Sequence, residues 1–370
     1  MTYPIKTMAD YLGDRVAYRN LNPTDPDLPQ LADIWQEVGL DMLRVPRKTE
    51  PVYAAISLKY LQAAQARRGM PPLERILFIG DTPMNDGTVA RNLGKSLPML
   101  GFIGADRPAA EPSQKIEYGL MLANRWSMLA DFLDWARREG FAFDERTAAV
   151  FDLDKTLVGA RGRNDKVIDR ARVSAVRLTV EELLGGDFDE AAFLAVYDTL
   201  NQLEYHPFTA DNQDYLAYIS LMVVGGIYPA ERLWTDLGDG SLTGFHQFVT
   251  LCDAHQRQMS AGLLAAHREV TGNMAKKDPT PFKSFRYREY HCTVGLMNHL
   301  PAAASVSELL AGEIVITGEV ADLAEQLAVQ GALTFGLSDK PDEASLPSAE
   351  AAATGAVPLH HVPMKVIGGL

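Results

Sequence analysis

Five short, unbroken apolar runs constrain this chain most. They are Arg75-Ile76-Leu77-Phe78-Ile79, Leu97 to Ile103, Ala148-Ala149-Val150-Phe151, Ile314-Val315-Ile316 and Ala332 to Leu337. A sheet with one wet face alternates apolar and polar residues; a parallel sheet covered on both faces reads as a continuous apolar run. Helical spacing lies between the runs. Residues 50–68 place Tyr53, Ile56, Tyr60 and Ala64 on one face. Residues 121–138 do the same with Trp126, Leu129, Leu133 and Ala136, and residues 320–330 with Val320, Leu323 and Leu327. Strands alternating with helices predict a doubly wound α/β fold. Residues 161–305 break the alternation and read as mainly helical, with Phe193, Val196, Leu200 and Leu203 in one pattern and Leu251, His255, Met259 and Leu263 in another. The expected organisation is an α/β core from 1–160 and 306–370, with an α-helical domain inserted at 161–305. The last thirty residues, rich in Ala, Pro and Gly, read as an irregular tail.

Charge narrows the partners. A formal charge of −13 disfavours nucleic acid and anionic membranes. An anionic small molecule remains compatible, because a metal and a few lysines reverse the sign inside a pocket. Two cysteines, Cys252 and Cys292, cannot frame a fold of this size and are expected to be reduced thiols. The first fifteen residues carry acids and no apolar core, so the expectation is a cytoplasmic protein. The eight histidines show no ligand spacing, and the pair His360-His361, in the expected tail, is assigned no metal.

Four segments carry chemistry. Val150-Phe151-Asp152-Leu153-Asp154-Lys155-Thr156 sets two carboxylates at the end of an apolar strand, where open α/β sheets place their ligands. One Asp can attack phosphorus, and the other can protonate a leaving oxygen. Ile79-Gly80-Asp81-Thr82-Pro83-Met84-Asn85-Asp86 offers two hard oxygen ligands after a second strand, suited to magnesium. Thr317-Gly318 ends a third run and can donate to a phosphoryl oxygen, although a plain strand end would look the same. Lys48, just before the helix at 50–68, can offset the charge of nucleophile and phosphoryl group.

Together these segments resemble the haloacid dehalogenase superfamily in its phosphatase branch. Asp152-Leu153-Asp154-Lys155-Thr156 matches the first motif, Thr317-Gly318 the second, Lys48 with nearby Pro51 the third, and Gly80-Asp81 with Asp86 the fourth. The likeness covers about 45–103, 146–158 and 312–340. It implies a Rossmann-like core and a Mg2+-dependent phosphatase that hydrolyses a small phosphate monoester through an aspartyl-phosphate. Asp152 would be nucleophile and metal ligand. Asp154 would be general acid/base and lend its carbonyl to the metal. Asp81 and Asp86 would bind Mg2+, and Thr317 and Lys48 would hold phosphoryl oxygens. Lys340, in Ser338-Asp339-Lys340-Pro341, is an alternative to Lys48. The motifs run third, fourth, first, second, as a circular permutation would order them. That order predicts the strand at 147–152 between those at 76–80 and 314–317. The helical insert would stand where the family has its cap, with Lys283, Arg286 and Arg288 as candidate substrate contacts. A phosphotransferase or phosphomutase would use the same residues, and a non-catalytic binding or regulatory protein could retain the scaffold. Substrate identity and oligomeric state stay open.

Overall fold

The computed structural model describes residues 3–370, apart from the side chain of Asp187. Its strands are β1 (Ile5–Lys6), β2 (Val16–Ala17), β3 (Arg75–Gly80), β4 (Met99–Gly104), β5 (Gln114–Glu117), β6 (Leu120–Ala123), β7 (Thr147–Asp152), β8 (Ile316–Thr317), β9 (Leu333–Leu337) and β10 (Met364–Ile367). The chain divides into two units. The first comprises Met1–Arg170 and Thr293–Leu370, the second Ala171–Cys292.

The first unit is built on a seven-stranded sheet in the order β2-β9-β7-β3-β4-β6-β5. Every neighbouring pair is parallel except the antiparallel β5–β6 hairpin. All six residues of β7 are buried, which is why the run carries no polar alternation. Successive side chains point to opposite faces. On one face Phe78, Val150 and Phe335 join Tyr53, Ile56 and Tyr60 of the helix Pro51–Arg67 in a single core cluster. On the other, Phe102 meets Phe132 of the helix Leu129–Arg138 edge-on, with ring centroids 5.8 Å apart. Pro51 opens its helix at a position where its missing N–H costs nothing.

Three sequence expectations change. The run at 314–317 does not flank β7. That place belongs to β9, which pairs from Ala148↔Leu333 to Asp152↔Leu337. Ile316 and Thr317 instead pair with β10 in a separate sheet, ordered β1-β10-β8. A two-residue strand cannot supply the five-residue ladder that β7 takes from β9. The expected helix at 121–138 starts later, because Leu120–Ala123 pair with β4 as β6. The expected irregular tail holds β10 and two short helical turns, Ala349–Ala353 and Leu359–His361.

The second unit is helical and lies within the expected 161–305. Phe193, Val196, Leu200, Tyr218, Phe245 and Phe248 centre its core. The pattern from Leu251 to Leu263 is split between the helices Phe245–Asp253 and Ala261–Ala275. Cys252 and Cys292 are free thiols. Among the described residues no helix is long and apolar enough to cross a membrane.

Candidate active site

Parallel pairing from Arg75↔Thr147 to Ile79↔Phe151 brings the carboxyl ends of β3 and β7 side by side. Asp152 is the last residue of β7, and Asp81 follows the last residue of β3. Gly80 makes the next step possible. A Cβ there would stand 2.5 Å from Asp86 Cβ, so only glycine lets Asp86 fold back against the strand end. Asp86 Oδ2 then accepts the amides of Asp81 (3.0 Å) and Thr82 (2.9 Å) and the Thr82 hydroxyl (3.0 Å). These bonds close the turn at the start of the helix Asp86–Leu93, where a carboxylate is favoured.

Past β7 the chain reverses sharply. Lys155 takes φ +66°, a left-handed conformation that costs a non-glycine residue roughly 1–2 kcal/mol. The turn returns the Thr156 hydroxyl to Asp152, donating to Oδ2 at 2.8 Å. Thr317 donates its own hydroxyl to the Thr156 carbonyl at 2.6 Å. Thr317 is thus committed to holding the loop, and its expected contact with a phosphoryl oxygen gives way to this supporting role.

Three carboxylates converge. Ligand oxygens of Asp81, Asp86 and Asp152 lie within 4.8 Å of one another, and all three residues are buried. The Lys48 ammonium sits between two of them, 2.6 Å from Asp86 Oδ1 and 2.7 Å from Asp152 Oδ1. Arg161 Nε donates to Asp81 Oδ2. Burial would strip the proton from Lys48, but Asp152 and then Asp86 hold its pKa well above the usual lysine value. Burial, then the charges of Asp152 and Asp86, push Asp81 up to about 9. Burial and the Asp86 charge push Asp152 up to about 7 against the pull of Lys48 and Thr156. Asp86 goes the other way: burial opposes its charge, but Lys48, Asp81 and the Thr82 amide outweigh it.

The donor set fits a hard divalent cation. Adjacent ligands of an octahedral magnesium stand about 3.0 Å apart and opposite ones about 4.2 Å, so oxygens within 4.8 Å of one another would draw together onto one ion. The Tyr53 hydroxyl, buried beside the same cluster, has no hydrogen-bond partner among the described residues. A buried hydroxyl of this kind is usually met by a water or a bound ligand. Asp81, Asp86 and Asp152 would hold the ion.

Of the residues singled out from sequence, the structure brings Lys48, Asp81, Asp86 and Asp152 together. Asp154 lies outside this cluster and lines a cavity with Tyr18, Ser338 and Lys340. Lys340, the alternative lysine, faces that cavity, whereas Lys48 bridges the carboxylates. Each of the three basic candidates of the helical unit pairs with an acid of that unit. Arg286 is buried and pairs with Asp214 (2.6 Å) and Glu289 (2.5 Å), because a buried guanidinium persists only when its charge is met. Lys283 pairs with Asp278 at 2.9 Å, and Arg288 with Glu182.

Sequence reasoning missed Ser338 and Arg161. Ser338 directly follows β9, whose Leu337 is level with Asp152. Its signal was present: Ser338-Asp339-Lys340-Pro341 is a polar turn after the apolar run Ala332 to Leu337. Arg161 is positioned through its carbonyl, which accepts from the Asp106 amide at 2.9 Å and the Trp126 indole at 3.2 Å.

No protein-family model matches this chain, and neither does any curated protein or solved structure.

The raised carboxyl groups make stability depend on pH. Asp152 and Asp81 keep protons in the metal-free fold that they lose in the unfolded chain above about pH 4. Their contribution to stability is therefore present at low pH and lost as pH rises through about 7 and about 9. A divalent cation at these oxygens would displace those protons, so its affinity would rise with pH across this window. Calorimetric titration in buffers of different ionisation enthalpy is expected to show proton release at pH 7. Magnesium binding without proton release would contradict the assignment.

Proposed function

We propose that this chain is a magnesium-dependent phosphatase acting on a small phosphate monoester through an aspartyl-phosphate at Asp152. The observation that carries the reading is the convergence of Asp81, Asp86 and Asp152 around the Lys48 ammonium. They stand at the carboxyl ends of adjacent parallel strands, with Asp154 two residues beyond the nucleophile. The arrangement agrees with the resemblance to haloacid dehalogenase phosphatases, with the core motifs in permuted chain order and Ser338 in the place first given to Thr317.

In the proposed reaction an Asp152 oxygen attacks phosphorus while the bond to the ester oxygen breaks. Asp154 gives its proton to the leaving oxygen. Asp154, now a carboxylate, takes a proton from water, whose oxygen attacks the aspartyl-phosphate. Phosphate leaves and the Asp152 carboxylate is restored. A magnesium ion held by Asp81, Asp86 and Asp152 would supply charge neutralisation and alignment of the phosphoryl group. Lys48 would balance charge beside the nucleophile, and Ser338 would donate to a phosphoryl oxygen.

Comparing two hydroxyl residues tests the reading. Ser338→Ala is expected to lower kcat/KM for magnesium-dependent aryl phosphate hydrolysis by about 10²-fold, as loss of one oxyanion donor does. Thr317→Ala is expected to lower the melting temperature, with a smaller effect on kcat/KM. Equal activity of Ser338→Ala and the parent chain would remove Ser338 from the site. No magnesium-dependent hydrolysis by the parent across sugar phosphates, nucleotides and phosphorylated acids would end the phosphatase reading.

A further inference from the structure

Ligand-type side chains meet at a second place in the first unit. Asp14 precedes β2, and His360 and His361 lie in the turn Leu359–His361, near the other end of the chain. Asp14 Oδ1 is 3.2 Å from His360 Nε2 and 2.7 Å from His361 Nε2. The three ligand atoms all lie within 4.8 Å of one another. Neighbouring histidines have no ligand spacing in sequence, and the third group is 346 residues from the nearer of them.

The geometry is close to that of a transition-metal site. With zinc–nitrogen and zinc–oxygen bonds of about 2.0–2.1 Å, neighbouring ligands of a tetrahedral ion stand about 3.3 Å apart. The Asp14–His360 separation already matches. The Asp14–His361 separation has to open by about 0.6 Å. Both of those side chains are about half exposed, at 51% and 41%, so nothing packed around them resists the movement.

The surroundings add what ligating residues require. His360 is fully buried, and its other ring nitrogen, Nδ1, is 3.3 Å from the Tyr18 hydroxyl. A metal-bound imidazole directs its second N–H at a fixed acceptor, which sets the tautomer and frees Nε2 for the ion. Thr24 donates its hydroxyl to the Asp14 carbonyl at 2.8 Å and so fixes the turn that presents the carboxylate.

We propose that Asp14, His360 and His361 form a site for one divalent transition-metal ion of the zinc class, with a fourth position open to water or an outside ligand. Two imidazoles and one carboxylate suit that class better than magnesium, which prefers all-oxygen donors. The site is separate from the carboxylate cluster and does not depend on the phosphatase reading. Tyr18 links it to the cavity that Asp154 and Lys340 line, so the ion would fix one wall of that cavity.

Cobalt(II) is the probe, because its visible bands become intense in four- or five-coordinate nitrogen–oxygen sites. Metal-stripped full-length chain in excess magnesium is expected to take up one equivalent of Co2+ with such bands, and Zn2+ to displace it. His361→Ala and Asp14→Asn should each abolish the bands and weaken Zn2+ uptake by about 100-fold, and Tyr18→Phe should weaken it by about 10-fold. Asp81→Asn should leave the bands intact. Absence of bands in the parent chain, their survival in a folded His361→Ala or Asp14→Asn protein, or their loss in Asp81→Asn would overturn the proposal. Circular dichroism establishes the fold of each variant, and either exposed ligand suffices for the test.

Discussion

Asp152→Asn is expected to cut magnesium-dependent phosphoester turnover by about 10⁴-fold or more while the fold remains intact. Removing a nucleophile costs this much because positioning and electrostatics alone cannot replace the covalent route. The amide keeps the shape of the carboxyl and can still accept from the Thr156 hydroxyl, so the strand end need not move. One of three crowded carboxylates also disappears, which favours the metal-free state, and unfolding temperature should hold or rise. Asp154→Asn separates the two roles. Loss of a proton donor hurts alkyl phosphates most and activated aryl phosphates least in the first step, because a good leaving group needs no proton. Return of the intermediate to free enzyme still needs a base. Asp154→Asn should therefore give a burst of aryl alcohol equal to the enzyme concentration, followed by slow turnover, and Asp152→Asn should give no burst. An Asp152→Asn protein within tenfold of the parent would exclude Asp152 as nucleophile.

What could be read in advance follows from how local each signal is. Asp152 and Asp81 end apolar runs, and Lys48 precedes a helix opened by Pro51. Each is recognisable within a dozen residues, and all came together. The choice between Thr317 and Ser338 was not local. Both are hydroxyl residues closing an apolar run, and only the pairing of β9 with β7, set across about 180 residues, decides which one stands beside Asp152. Arg286 shows the same limit from another side. A basic segment looks solvent-facing or substrate-facing in sequence, because Asp214, which neutralises it, lies 72 residues away. The strands β1, β2, β8 and β10 span two to four residues, too few for a period to show. Long-range pairing decides which residues surround the site, whereas short-range pattern reveals where the carboxylates are.

Lys48→Met is expected to lower stability of the metal-free chain by about 3–5 kcal/mol, the usual cost of breaking a buried ion pair from one side. For a unit of this size that is a fall in melting temperature on the order of 10 °C. The cause lies in the carboxylates left behind. Without the ammonium, Asp86 loses the charge that holds it ionised, and Asp152 loses its strongest opposition to burial. Both folded-state pKa values must then rise further. The penalty should accordingly be smallest at acid pH, where a proton retained on Asp86 in the fold costs least, and grow as pH climbs to 8. Millimolar magnesium supplies a cation to the same oxygens and should recover much of the lost stability. Activity should not recover with it, because the ion neutralises the carboxylates but cannot provide the lysine's N–H groups to the phosphoryl oxygens. Thermal unfolding of parent and variant at pH 5 and pH 8, with and without magnesium, measures all of this. A stability loss that is independent of pH and of magnesium would mean that Lys48 acts through packing alone, and the carboxylate cluster would lose its claim to be a metal site.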